Sequence, residues 1–287
     1  MNAVFKHELR SAFNSLTVYL FCAALLCVVG VGSMFYNIQA TVSNFEYALS
    51  YISVVLVVII PVLTMRSFAE ERKQKTDQLL YSLPLKTWQI VGGKYLSHVV
   101  MFLVPMVIIC VYPYIFSQYG DVYLPSAYGS IFAFFMMGAA MISIGMFISS
   151  LTENQGFAAG IAIVVFLFNY FSVSLAEQVS STAVGSAMAL VVIAILIGFI
   201  VKALTKNTII AACTGGGLTV LTLALYFMMP DKFEGLLPDI MEKLSLFSRF
   251  DTFVNGVFDL TGIVFYLSVI ALGLFLTVQS LEKRRYN

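Results

Sequence analysis

Apolar residues in this chain gather in long unbroken runs, with neither the alternation of a strand nor the broken stripe of a soluble helix. A hydrocarbon layer about 30 Å thick is crossed by roughly 20 residues of helix. Eight runs without Asp, Glu, Lys or Arg reach that scale: residues 16–36, 48–65, 99–116, 130–151, 156–175, 184–201, 208–229 and 262–281. Their continuity excludes a β-barrel, whose strands alternate. The pattern predicts an all-α fold, a polytopic membrane bundle of about eight transmembrane helices in one transmembrane domain, 1–287. The pair 184–201 and 208–229 is joined by a short turn carrying Lys202 and Lys206. If those lysines cap a re-entrant hairpin, the count falls to six.

Three stretches leave the bilayer for long: an interfacial helix at 1–15, a segment at 66–97 and a loop at 230–261. In the last, Phe233, Leu236, Leu237, Ile240, Leu244, Phe247, Phe250, Phe253, Val254 and Val257 recur at spacings of three and four. That period predicts amphipathic helices lying over the outer membrane surface. The first run is long enough to stay as an anchor rather than act as a cleaved signal.

Composition agrees. Of 287 residues, 60% are hydrophobic and only 11% charged, and the mean hydropathy is +0.93, which excludes a water-soluble enzyme. Placing both termini in the cytoplasm puts thirteen basic and six acidic residues inside, net +7, against three and nine outside, net −6. Lysine and arginine favour the inner side, so the asymmetry supports eight spans with both ends inside. A formal charge of +1 leaves no basic excess for nucleic acid.

Candidate chemistry is sparse. Cys22, Cys27, Cys110 and Cys213 lie in apolar runs, where thiols behave as small hydrophobes. His7 and His98 have no ligand partners at metal spacing. Gly92-Gly93-Lys94-Tyr95 lacks the first glycine and the hydroxyl of a phosphate-binding loop, and Gly215-Gly216-Gly217 reads as close helix packing. No run contains a charge, which argues against an ion relay and suits an amphipathic or lipid-like substrate. Pro61, Pro105 and Pro113 are candidate kinks. Asn169, inside the fifth run, either bonds a neighbouring helix or lines a pathway.

The segment after the second run is the most informative. Ser67-x-x-Glu70 has the reciprocal capping pattern of a helix start, and Pro84 predicts an end near Leu83. Glu70, Glu71, Arg72, Lys73, Lys75 and Asp77 make it too charged to cross the bilayer, at about 2.5–3.5 kcal/mol per charge. Two readings stand: a solvated connector held by pairs such as Glu71–Lys75, each worth about 0.2–0.5 kcal/mol, or a rigid lever fused through Arg66 to the second span. Trp88 has the ring expected at headgroup level.

Phe68-Ala69-Glu70-Glu71-Arg72-x-x-x-Thr76-x-x-x-Leu80-x-x-x-Pro84, followed by Gly93-Lys94, resembles the signature of ABC-2 type transporter permeases, especially the gliding-motility-associated subgroup. Lys6-His7-Glu8-Leu9-Arg10-Ser11-x-Phe13 is similar to that family's interfacial helix, and Phe250-x-x-Phe253-x-x-Gly256-Val257-Phe258-Asp259-Leu260 to its outer segment before the last span. The resemblance covers about residues 1–175 and 230–285. The extra pair at 184–229 departs from the usual six spans.

The resemblance implies a permease subunit of an ATP-binding cassette exporter that is not itself an enzyme and holds no cofactor. ATP and Mg²⁺ belong to a separate cytoplasmic ATPase, which receives a coupling helix bearing Ser67, Phe68, Glu70, Glu71, Arg72, Thr76, Asp77, Leu80 and Pro84. It implies dimerisation with a second copy or a homologous permease among membrane lipids. Spans one, two and five then face the substrate pathway, with Tyr51, Pro61, Asn169, Tyr170 and Phe171 as candidate lining residues. Two other classes are a non-transporting scaffold or sensor that recruits a partner through the same charged helix, and a membrane enzyme, for which no nucleophile–base pair is visible.

Overall fold

The computed structural model describes residues 1–76, 86–178, 182–205, 208–228 and 233–285. Every described element is helical, the outcome expected when an apolar medium forces backbone groups to pair within their own segment. Among the described residues, five helices are long and apolar enough to cross a membrane, or six when one bent pair counts as a span. The chain divides into two compact units, residues 1–168 with 249–287, and residues 169–248.

In the first unit, α1 (Asn2–Phe13) precedes α2 (Leu16–Ser33), which runs on through a π-helical stretch, Met34–Gln39. The second apolar run is broken into α3 (Phe45–Ser53) and α4 (Leu56–Thr64), which meet at a 59° bend. The bend precedes Pro61 by more than a turn, although Pro61 itself sits inside α4 and deprives the Val57 carbonyl of its helical donor. The third run begins earlier than hydropathy suggests, because α6 spans Thr87–Ile109 and α7 Val111–Phe116. Pro113 has no N–H for the Ile109 carbonyl, and the chain turns at Cys110, whose carbonyl accepts a bond from Tyr128 Oη at 3.3 Å.

The centre of this unit is α8 (Leu124–Leu151), 78% of whose apolar window is buried, against 33% or less in the other spans. Small residues create that centrality. Gly138 leaves room for the Phe102 ring of α6, and Gly145 for the Thr64 side chain of α4, where added Cβ atoms would collide. Gly273 of α14 (Leu260–Arg285) lies likewise against Ser143. Close backbone approach through small residues replaces the hydrophobic drive that lipid removes. Arg284 donates to the Leu151 carbonyl at 3.2 Å at the far end of the α8–α14 pair.

α9 (Gln155–Gln178) and α13 (Leu246–Val254) carry the chain between the units. Within the second unit, α10 (Ala183–Thr205) and α11 (Thr208–Met228) pack along each other and cover the extra apolar pair. α12 (Leu236–Leu244) follows, with the exposed i,i+4 pair Lys243–Asp239 at 2.7 Å. The amphipathic period at 230–261 thus produces two short helices, α12 and α13. The second is anchored in the first unit: Phe250 is fully buried against Phe134, 5.7 Å between ring centres, and Ser130 Oγ donates to the Phe253 carbonyl at 3.2 Å.

Glu46 on α3 and Lys94 on α6, charged residues left outside the apolar runs, are buried. The Glu46 carboxylate has no hydrogen-bond partner among the described residues; Lys94 is fully partnered.

Candidate functional site

The charged segment begins as α5 (Arg66–Lys73). It follows α4 through a single helical residue, Met65, so the two helices form one nearly continuous rod. The predicted capping box is absent. Ser67 is buried and its hydroxyl has no partner among the described residues; its N–H lies inside the continuing rod rather than at a free end, so it needs no cap. The donors of Phe68 and Ala69 go instead to Ser149 Oγ of α8, each at 3.2 Å, and the same hydroxyl donates to the Met65 carbonyl at 3.0 Å. One serine from another helix satisfies the junction that the capping pattern seemed to address.

Ser67, Phe68, Ala69 and Arg72 form the buried face of α5. Glu70 and Glu71 are half-buried, while Lys73, Gln74, Lys75 and Thr76 are exposed. Lys75 takes the left-handed conformation, φ 58°, which ends the helix, since an L-residue there cannot continue a right-handed turn. Asp77, Leu80 and Pro84, with the expected helix end near Leu83, lie outside the described residues.

Glu71 does not make the expected surface pair with Lys75. Its Oε1 accepts from Lys94 Nζ at 2.7 Å, and Lys94 also donates to Glu8 Oε1 of α1 at 2.9 Å and to the Ser67 carbonyl at 3.0 Å. Three ammonium protons thereby meet three acceptors at a side chain only 2% exposed. The Phe68 ring lies 5.3 Å from Nζ. His98, one turn along α6, has Nδ1 2.8 Å from the Lys94 carbonyl. The glycines before Lys94 have a packing role: a Cβ on Gly93 would sit 3.1 Å from Val4, so their lack of side chains lets α1 lie against α6. Arg66 reaches Thr17 Oγ1 at 3.1 Å.

Hydropathy overlooked Lys94, Glu8 and Ser149. Lone charges seemed to belong to water, and the usable signal was the helical spacing of Lys94 and His98 on a stretch that returns to the bilayer.

The profile of ABC-2 family transporter proteins matches residues 31–184, more than half of the chain. The chain belongs to the ABC-2 transporter family. It is therefore a multi-pass membrane permease of the ABC transporter class, and its role is transport rather than catalysis. A comparison with curated proteins gives no match.

The remaining candidate residues of this permease fall in different units. Tyr51 on α3 is exposed and stacks obliquely on Tyr36 at 5.3 Å, whereas Pro61 is buried in α4. In the second unit, Asn169 bonds a neighbouring segment. Its Nδ2 donates to the Leu244 carbonyl at 3.2 Å, its Oδ1 accepts from the Leu246 N–H at 2.9 Å, and its own carbonyl accepts from Ser245 Oγ at 3.2 Å. It thus satisfies the break between α12 and α13. Tyr170 stands edge-on to Phe247 at 5.0 Å and to Phe171 at 5.2 Å, and Phe171 is half exposed. Among the described residues, no group of three His, Cys, Asp or Glu side chains is placed to hold a metal ion.

Proposed function

We propose that this permease is the membrane subunit of an ATP-driven exporter in a bacterial cytoplasmic membrane. It takes mechanical work from a separate cytoplasmic ATPase that binds ATP and Mg²⁺, and it pairs with a second permease copy or a homologue. α5 is the coupling helix, and Asp77, Leu80 and Pro84, which follow it in sequence, belong to the same ATPase contact. The reading places eight spans in the bilayer with both termini inside, and Tyr51, Pro61, Asn169, Tyr170 and Phe171 along or beside the substrate route.

The observation that carries this reading is the division of α5 into two faces in a chain of this family. The buried face, Ser67, Phe68 and Ala69, is fastened to the bundle. The other face presents Glu70, Lys73 and Gln74 at the end of a rod that continues from a bent span. A helix so held receives a push on its free face and passes it inward. Alternating access then follows if the nucleotide-bound and nucleotide-free ATPase differ in how they seat α5, since only differential contact shifts a conformational equilibrium.

The test reverses the exposed charges and leaves the buried ones alone. Glu70→Lys with Lys73→Glu is expected to weaken capture of the ATPase at least about tenfold, the scale of about 1.4 kcal/mol, with membrane insertion unchanged. Undiminished ATPase capture and hydrolysis would overturn the reading.

A further inference from the structure

We propose that Lys94 is a transmission joint that makes α1 and the first turns of α6 move with α5; the proposal rests on α5 being the ATPase contact. The obvious route for a push on α5 runs back along α4. That route meets the 59° bend between α3 and α4, where the helical bond pattern is interrupted and displacement is absorbed rather than passed on. A second route is needed if the rest of the first unit is to respond.

The contacts supply one. Ser149 holds α5 at its start, gripping the N–H groups of Phe68 and Ala69 and the Met65 carbonyl. Glu71 lies two to three residues further along, about 3–4.5 Å by helix rise. α5 therefore has a pivot at Ser149 and an arm ending at Glu71. The arm is tied to Lys94 at 2.7 Å, and Lys94 to Glu8 at 2.9 Å. Tilting α5 about Ser149 displaces Glu71, and Lys94 and Glu8 must follow. Opening either pair takes from Lys94, sealed from water, one of the three acceptors that match its ammonium protons, so this link resists stretching more than a surface ion pair does.

Two carboxylates on one ammonium also make the link separable. Glu8→Gln leaves Lys94 neutralised by Glu71 and cuts only the tie to α1. Glu71→Gln leaves it neutralised by Glu8 and frees the arm of α5, so that Lys94 keeps its bond to the Ser67 carbonyl beside the pivot. Both variants keep an ion pair at Lys94 and should fold where Lys94→Gln fails. Lys94 is thus a positioning residue, acting on α1 and α5 through their carboxylates.

The experiment places spin labels at Lys6→Cys on α1 and Lys75→Cys just past the end of α5, both exposed and neither in the face assigned to the ATPase, in a background with Cys22, Cys27, Cys110 and Cys213 replaced by serine. Distances are measured in the purified complex with its ATPase, nucleotide-free and with vanadate-trapped ADP. In the otherwise wild-type protein the separation is expected to stay constant between the two states. In Glu8→Gln and in Glu71→Gln it is expected to shift on trapping. A separation that changes equally in all three, or in none, overturns the joint. If the wild type retains no ATPase, the proposed function fails. The joint is then judged on the permease alone, where a label distribution as narrow in Glu8→Gln as in the wild type overturns it and a broader one supports it.

Discussion

Single side chains in this permease do work that their residue types do not announce. Ser149 looks like one more small residue in an apolar helix, yet two N–H groups and one carbonyl of the α4–α5 junction depend on it. Ser149→Ala should lower stability by about 1–3 kcal/mol, the cost of leaving buried donors unmet, read as a lower melting temperature in detergent. Asp251 shows the opposite balance. Burial raises its pKa above 3.8, only partly offset by the bond from Ser50, so its ionised form opposes folding. A carboxylate whose pKa is raised on folding contributes stability below its unfolded pKa and loses it as pH rises through the folded value. Asp251→Asn should therefore melt higher than the wild type at neutral pH, with the gap closing as pH falls toward 3.8. Asp259 shifts the other way, because Thr261 and the N–H of Gly262 hold its carboxylate at the start of α14.

At the scale of elements, α8 organises its unit because it is narrow. Glycines at 138 and 145 admit Phe102 and Thr64, and the apolar surface alone would have allowed many other registers. Gly138→Leu forces the α6 ring away and should cost several kcal/mol, at or above the roughly 1–3 kcal/mol of overpacked cores; Gly30→Leu, at a roomier site near Tyr112, should cost less. Comparing melting temperatures of the two variants checks this, and equal losses would contradict the crowding argument. The same scale explains the bent second span. Hydropathy sees one run at 48–65, but around Val54 and Val55 the backbone bonds tighten to three residues, Val55 N–H to the Ile52 carbonyl at 2.9 Å and Val57 N–H to the Val54 carbonyl at 3.1 Å, and no apolarity index registers that change.

At the scale of the whole molecule, the proposed eight-span topology predicts labelling patterns. Lys73→Cys and Lys206→Cys should react with an impermeant maleimide from the cytoplasmic side, and Gln118→Cys from the other. A Lys206→Cys that reacts from neither side would return the count to six. The all-helical class and the course of several spans were open to sequence reading because each depends on local transfer of a run between water and hydrocarbon. Apolar runs announced α2, α8, α9 and α14 to within a few residues, and the spacing of three and four announced α12 and α13. The family resemblance likewise rests on a contiguous motif around α5.

Other features depend on which residues meet across the fold. Ser67-x-x-Glu70 has the spacing of a cap, but whether it caps depends on whether a helix already precedes it, and α4 does. Glu71 faced two cations of equal charge. Lys75, four residues on, stands beyond the end of α5, and Lys94, twenty-three residues on, is brought to it by the packing of α6. Local energies favour neither, since a surface pair is worth only about 0.2–0.5 kcal/mol. Burial decides, because once Lys94 is sealed from water its charge must be matched. Transfer of chain segments from water to lipid is a sum over residues and so is written in their order. Pairing of buried charge and close approach of glycines are properties of contacts, which exist only after the helices have packed.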